Sequence, residues 1–202
     1  MDPKHTALVL IGYQNDYFAA DGILYSVIEE SSRVTGTLAN TVDLVERLHP
    51  TPLLVVTTPI VFTPDYSELV EPVGILKTIK ELGAFKAGTK GAGTIPELRR
   101  FEERILEVPG KRGLNAFSNT DLDHLFQQRG ITHVVLAGVV TSVCVDSTGR
   151  SAYERGYKVS VLSDCTSGRT TFEQDFYCES VFPLYAEVID HVQLLSRLGI
   201  EA

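Results

Sequence analysis

Short apolar runs alternate with stretches of helical periodicity along the chain. Residues 6–11 (TALVLI) are apolar at almost every position, as a strand covered on both faces requires. Across residues 31–48, Val34, Leu38, Val42, Val45 and Leu48 recur at helical spacing, which predicts one helix. Pro52 then opens a second strand over 53–57. Residues 58–93 are less regular and rich in Pro and Gly, with apolar islands such as 73–76, and are read as a lid or an oligomer contact.

The second half is cleaner. It predicts a strand at 104–108, a short helix at 120–128 closed by Gly130, and an apolar strand at 133–139 (HVVLAGV). A helix over 142–155 stops at Gly156, where a C-cap glycine is common. Strands at 158–162 and 186–189 and helices near 172–182 and 191–198 complete the pattern. Strands apolar on both faces, each followed by a helix, indicate an α/β fold: three layers, with a doubly wound, six-stranded parallel sheet and helices on both faces. No linker or internal repeat divides residues 1–202, so one domain is expected.

Composition narrows the function classes. With 44% hydrophobic and 22% charged residues the chain reads as globular, and a formal charge of −8 lacks the basic face that nucleic acid requires. No apolar run approaches membrane-spanning length and the N-terminus does not read as a signal peptide, so a cytoplasmic, non-membrane protein is expected. Three cysteines (Cys144, Cys165 and Cys178) form neither a zinc cluster nor a disulfide framework, and the latter two read as structural.

In open parallel sheets, ligands bind beyond the carboxyl ends of the strands. Three such ends carry informative residues: Gly12 followed by Tyr13-Gln14-Asn15-Asp16-Tyr17, Pro109-Gly110-Lys111, and Gly138-Val139-Val140-Thr141 leading to Cys144. With Thr141 as N-cap, Cys144 falls near the positive end of a helix, among backbone N–H groups that favour a thiolate and can hold an oxyanion. Position alone leaves open whether Cys144 is a nucleophile or a buried structural cysteine. Ser142 and Ser147 have no histidine or nucleophile-elbow context, which removes a serine hydrolase from consideration.

Four collinear segments resemble the isochorismatase-like cysteine hydrolases, a family that includes isochorismatases, nicotinamidases and N-carbamoylsarcosine amidases. They are ALVLIGYQNDYF at 7–18, GTKGAGTIPEL at 88–98, KRGLNAFSNTDLDHLF at 111–126 and GVVTSVCVDSTGRSAYERGYKVSVLSD at 138–164. The resemblance implies a triad of Asp, Lys and Cys that cleaves a C–N bond of a small molecule through a thioester. Lys111 and Cys144 would stand in two of the three positions. It also implies a cis peptide between Val139 and Val140, with the Val140 and Cys144 N–H groups as the oxyanion hole. Tyr13, Tyr17, Phe62 and Phe117 are expected to line the substrate pocket, and a homo-oligomer, dimer or tetramer, is expected.

The third triad position is Gly12. Glycine can neither take a thiol proton nor deliver one, and losing such a group typically removes about 10²–10⁴-fold in rate. Three readings follow: a hydrolase using water or another carboxylate such as Asp16, a small-molecule binder that has lost turnover, or a substituted form of an active parent. Asp16 is read chiefly as a structural residue of the turn. Some family members hold a metal through Asp and His after the second strand, whereas residues 57–62 (TTPIVF) contain neither. No metal and no other cofactor is expected.

Overall fold

The computed structural model describes residues 1–200. In chain order its strands are β1 (Thr6–Ile11), β2 (Leu54–Thr57), β3 (Ile105–Glu107), β4 (His133–Val139), β5 (Lys158–Ser167) and β6 (Glu187–Ile189). The α-helices are α1 (Asn15–Phe18), α2 (Tyr25–Thr35), α3 (Thr37–Leu48), α4 (Gly74–Leu82), α5 (Pro96–Arg99), α6 (Leu122–Gln128), α7 (Asp146–Glu154), α8 (Thr171–Phe176) and α9 (His191–Arg197). The strands form one sheet in the order β3-β2-β1-β4-β5-β6, parallel at every pairing. The order reverses between β1 and β4, the switch point at which doubly wound sheets open a crevice.

The apolar runs are explained by alternation across this sheet. Ala7, Val9 and Ile11 of β1 and Val134 and Leu136 of β4 point into one core, with Leu122 and Phe126 of α6 and Ala152 of α7. Leu8, Leu10, Val135 and Ala137 point to the other face, where Leu44, Val45 and Leu48 of α3 and Leu194 and Leu195 of α9 cover them. Each fully buried aliphatic side chain contributes about 1.5–3 kcal/mol. A third cluster caps the carboxyl ends of the central strands and includes Tyr17, Ile60, Phe62, Ile79, Phe85, Val139 and Val140. Among the described residues, no helix is long and apolar enough to cross a membrane.

Local differences from the sequence expectations have identifiable causes. The single helix expected at 31–48 is two, because Gly36 takes φ 70° as the left-handed cap of α2 and donates its N–H to the Ser32 carbonyl. Strand β5 continues to Ser167. Its pairing with β4 jumps from Leu136↔Val161 to Gly138↔Thr166, so the extra β5 residues bulge outward. The segment at 58–93 contains α4, whose nine residues run from Gly74 to Leu82 and are capped by Gly83. The Pro and Gly around it masked a short helix.

Candidate active site

The site is built where β1, β3 and β4 end. Close approach of β1 and β4 depends on Gly138: at φ 124°, an added Cβ would lie 1.9 Å from the Ile11 carbonyl oxygen. The chain continues through a cis peptide between Val139 and Val140. It then enters a π-helical turn, Thr141–Val145, that leads into α7. The expected simple N-terminus capped by Thr141 is therefore corrected. Val140 occupies the cap position without a side-chain bond. The Thr141 hydroxyl donates instead to Gln174 Oε1 of α8 (2.5 Å).

Cys144 lies in this turn and lines a small pocket. Lys111 follows β3 and is 1% exposed, and its Nζ stands 3.6 Å from Cys144 Sγ as a hydrogen-bond donor. An amine so deeply buried needs a polar partner, and the sulfur supplies one. Two residues separated by 33 positions thus meet across the crevice. Gly12 also lines the pocket, with φ 74°. A Cβ there would come within 2.9 Å of both Cγ2 and the carbonyl oxygen of Val139. The backbone at position 12 lies against the peptide that precedes the nucleophile turn, leaving no room for a side chain on this path.

The neighbours of Gly12 are structural. Gln14 Nε2 donates to the carbonyls of Ile60 (2.9 Å) and Ala92 (2.8 Å), while its Oε1 accepts from Ile60 N–H. Asp16 is buried, and its Oδ2 accepts from the Phe85 N–H at 2.6 Å. Its backbone N–H donates to the Gly91 carbonyl. That carboxylate holds the 85–91 loop and is not on the pocket lining, which argues against its acting as an acid or base there.

Of the four aromatics expected to line the pocket, Tyr17 does so. Burial first, and then the nearby Cys144 and Asp16, push its hydroxyl well above the ordinary tyrosine range, so it stays neutral. The other three sit elsewhere. Tyr13 points into the α3-side core, stacks on Phe18 at 5.1 Å, and donates to the Cys165 carbonyl while sharing a hydrogen bond with Thr41. Phe62 packs against Tyr66 in the capping cluster. Phe117 belongs to a ring cluster with Phe126 and Tyr157, under the Arg155 guanidinium. Large rings gain most from full burial, and alternation along the chain sends Tyr13 away from the cleft. Most of the remaining pocket wall is aliphatic, and three of its residues come from α4: Ile75, Leu76 and Ile79.

Polar residues that buttress the turn bearing Cys144 were not singled out in the sequence. Gln174 accepts from Thr141 and donates to the Ser163 carbonyl (2.9 Å) and the Thr166 hydroxyl (3.0 Å). Glu173, beside it, accepts from the Ser142 hydroxyl and pairs with Arg169. Short helix α8 thereby grips the turn from behind. Nothing in the spacing around 171–176 signals this, because the contacts cross more than 30 residues of chain.

A separate trio, Asp164, Cys165 and His191, brings metal-capable atoms within 4.8 Å of one another. Here the Asp164 carboxylate accepts from both the backbone N–H and the Nδ1 of His191, so it ties the start of α9 to β5. None of the three lines the pocket.

With a buried lysine beside a cysteine in a turn after the fourth parallel strand, comparison with known proteins becomes informative. The isochorismatase domain model matches residues 6–193. The chain belongs to the isochorismatase family of cysteine hydrolases. The ureidoacrylate amidohydrolase RutB of Agrobacterium fabrum is 28% identical over 178 residues, covering 82% of this chain and 77% of that protein. An isochorismatase family protein from Burkholderia thailandensis superposes with a TM-score of 0.77 at 26% identity, covering 97% of this chain and 96% of that one. A cysteine hydrolase from Pseudomonas syringae pv. phaseolicola shares the fold with a TM-score of 0.85 at 19% identity, covering 98% and 94%.

Proposed function

We propose that the protein hydrolyses a C–N bond in a small amide through an acyl-thioester on Cys144, with Lys111 as its partner. The observation that carries this reading is the 3.6 Å contact between Lys111 Nζ and Cys144 Sγ on the wall of a largely apolar pocket. The amide-cleaving name of the RutB relative supports the choice of bond.

The Cys144 sulfur attacks the carbonyl carbon, and the developing oxyanion is assigned to the N–H groups of Val140 and Cys144. As the C–N bond breaks, the proton that began on the Cys144–Lys111 pair ends on the departing nitrogen. Water then adds to the thioester. The C–S bond breaks, releasing the acid and returning a proton to the pair. At Gly12 no carboxylate assists either transfer, so Lys111 and water carry the protons and turnover is expected to be slow.

One observation favours a second reading, a family member that binds without efficient turnover: the backbone at Gly12 has no space for the missing group. The test is to incubate the wild type and Cys144→Ala with a panel of small amides. Ammonia or amine release is followed, and the Cys144 adduct is sought by intact-mass spectrometry. Release that depends on Cys144, with a transient acyl adduct, is expected. Saturable binding of an amide with neither adduct nor release would establish the binder in its place.

A further inference from the structure

The pocket wall has a chemical character that names the acyl group it accepts. Helix α4 presents Ile75, Leu76 and Ile79 on one side, and Ile60, Leu114 and Val143 complete an aliphatic surface facing Cys144. Among the lining residues the one cation is Lys111, whose Nζ is already directed at the sulfur.

The nearby cations that could turn toward an anion are held elsewhere. Arg112 donates through Nε to Glu68 (3.2 Å) and through Nη1 to the Lys111 carbonyl (3.2 Å). Lys80 Nζ donates to the Leu69 carbonyl (2.9 Å), and Lys86 lies 5.6 Å over the Tyr66 ring. Tyr17 is the one other lining residue besides Cys144 with a polar side chain, and it is neutral. A carboxylate seated against this surface would lose its water without gaining a charged partner, which is strongly unfavourable. An alkyl chain would lose nothing and bury apolar area.

We propose that the site selects small, uncharged carbonyl compounds with an aliphatic acyl group, and rejects those with a carboxylate on that group. This rests on the thioester chemistry assigned to Cys144 above.

The test compares p-nitrophenyl butyrate with mono-p-nitrophenyl succinate on the full chain, subtracting the rate of Cys144→Ala. The two acyl chains match in length, with a carboxylate in place of the terminal methyl. In either case the C–S bond forms, the ester C–O bond breaks, and nitrophenolate leaves with the electron pair, needing no proton from position 12. Water then cleaves the C–S bond to give the acid and restore the thiol.

The butyrate is expected to show kcat/KM about 100-fold or more above the succinate, since a desolvated, unpaired charge is excluded far more strongly than a methyl group is accepted. Leu76→Arg, which puts a cation on the wall, should narrow that ratio at least about tenfold. Equal or reversed preference in the wild type overturns the proposal, while Cys144-dependent release leaves the hydrolase reading standing. A folded Leu76→Arg with an unchanged ratio overturns the assignment of this wall to the acyl group. Absence of Cys144-dependent release from both esters overturns the hydrolase reading and the proposal with it.

Discussion

Replacing Gly12 with aspartate puts a carboxylate on the pocket lining, and the backbone predicts a loss. Position 12 has φ 74°, and an ideal Cβ falls 2.9 Å from the Val139 carbonyl oxygen and from Val139 Cγ2. A left-handed backbone costs an L-residue about 1–2 kcal/mol. Forcing extra atoms into a packed site adds about 1–3 kcal/mol. Part of the strain relaxes by moving Val139, so Gly12→Asp is expected to destabilise by about 2–4 kcal/mol, or about 5–15 °C in midpoint for a chain of this length. The Val139 shift also displaces the Val140 N–H assigned to the oxyanion, so amide turnover should not rise. Urea unfolding of the wild type, Gly12→Ala and Gly12→Asp measures the effect, with the alanine variant separating the Cβ from the carboxylate. Both variants should lose stability, alanine slightly more, because aspartate tolerates the left-handed region better. A Gly12→Asp protein as stable as the wild type, or one that gains about 100-fold in amide hydrolysis, would refute the reasoning. Either result would mean that the site still accommodates the aspartate.

Lys111→Met should abolish Cys144-dependent acylation by about 100-fold or more while leaving the urea midpoint unchanged or raised, since an apolar side chain replaces a buried amine at similar volume; a loss of folding without loss of acylation would contradict its role. Gln174→Leu leaves the buried Thr141 hydroxyl and the Ser163 carbonyl without their partner, so it should cost about 1–3 kcal/mol in urea unfolding and lower the Cys144-dependent rate; unchanged kinetics in a folded variant would show that α8 does not position the turn. Burial holds His133 below the ordinary imidazole range, its ring sharing a hydrogen bond with Ser160. The unfolded chain therefore binds the proton first, and stability should fall as pH drops below about 6.5 until the folded ring also titrates. His133→Asn should flatten that part of the stability–pH curve, and an unaltered curve would count against it.

What the chain states by itself is the sheet and the positions of Cys144 and Lys111 at strand ends. Strands buried on both faces are apolar at consecutive positions, so residues 6–11 and 133–139 were legible without a partner in view. Cys144 and Lys111 were legible because local motifs carry them to strand ends. Helix α4 and the split at Gly36 were not, since short helices among Pro and Gly give weak periodicity and a left-handed cap hides within an apolar repeat. The direction of each aromatic was also beyond the sequence. Tyr13 and Tyr17 are four residues apart, yet one enters the core beneath α3 and the other faces the cleft.

The grip of α8 on the nucleophile turn joins residues far apart in the chain, and such contacts leave no mark in local spacing. Gly12 shows the division most clearly. Its identity could be read in the sequence as a missing carboxylate, but whether that carboxylate has room depends on how closely β1 and β4 approach. Only the packed structure, with Val139 2.9 Å from where a Cβ would stand, decides that.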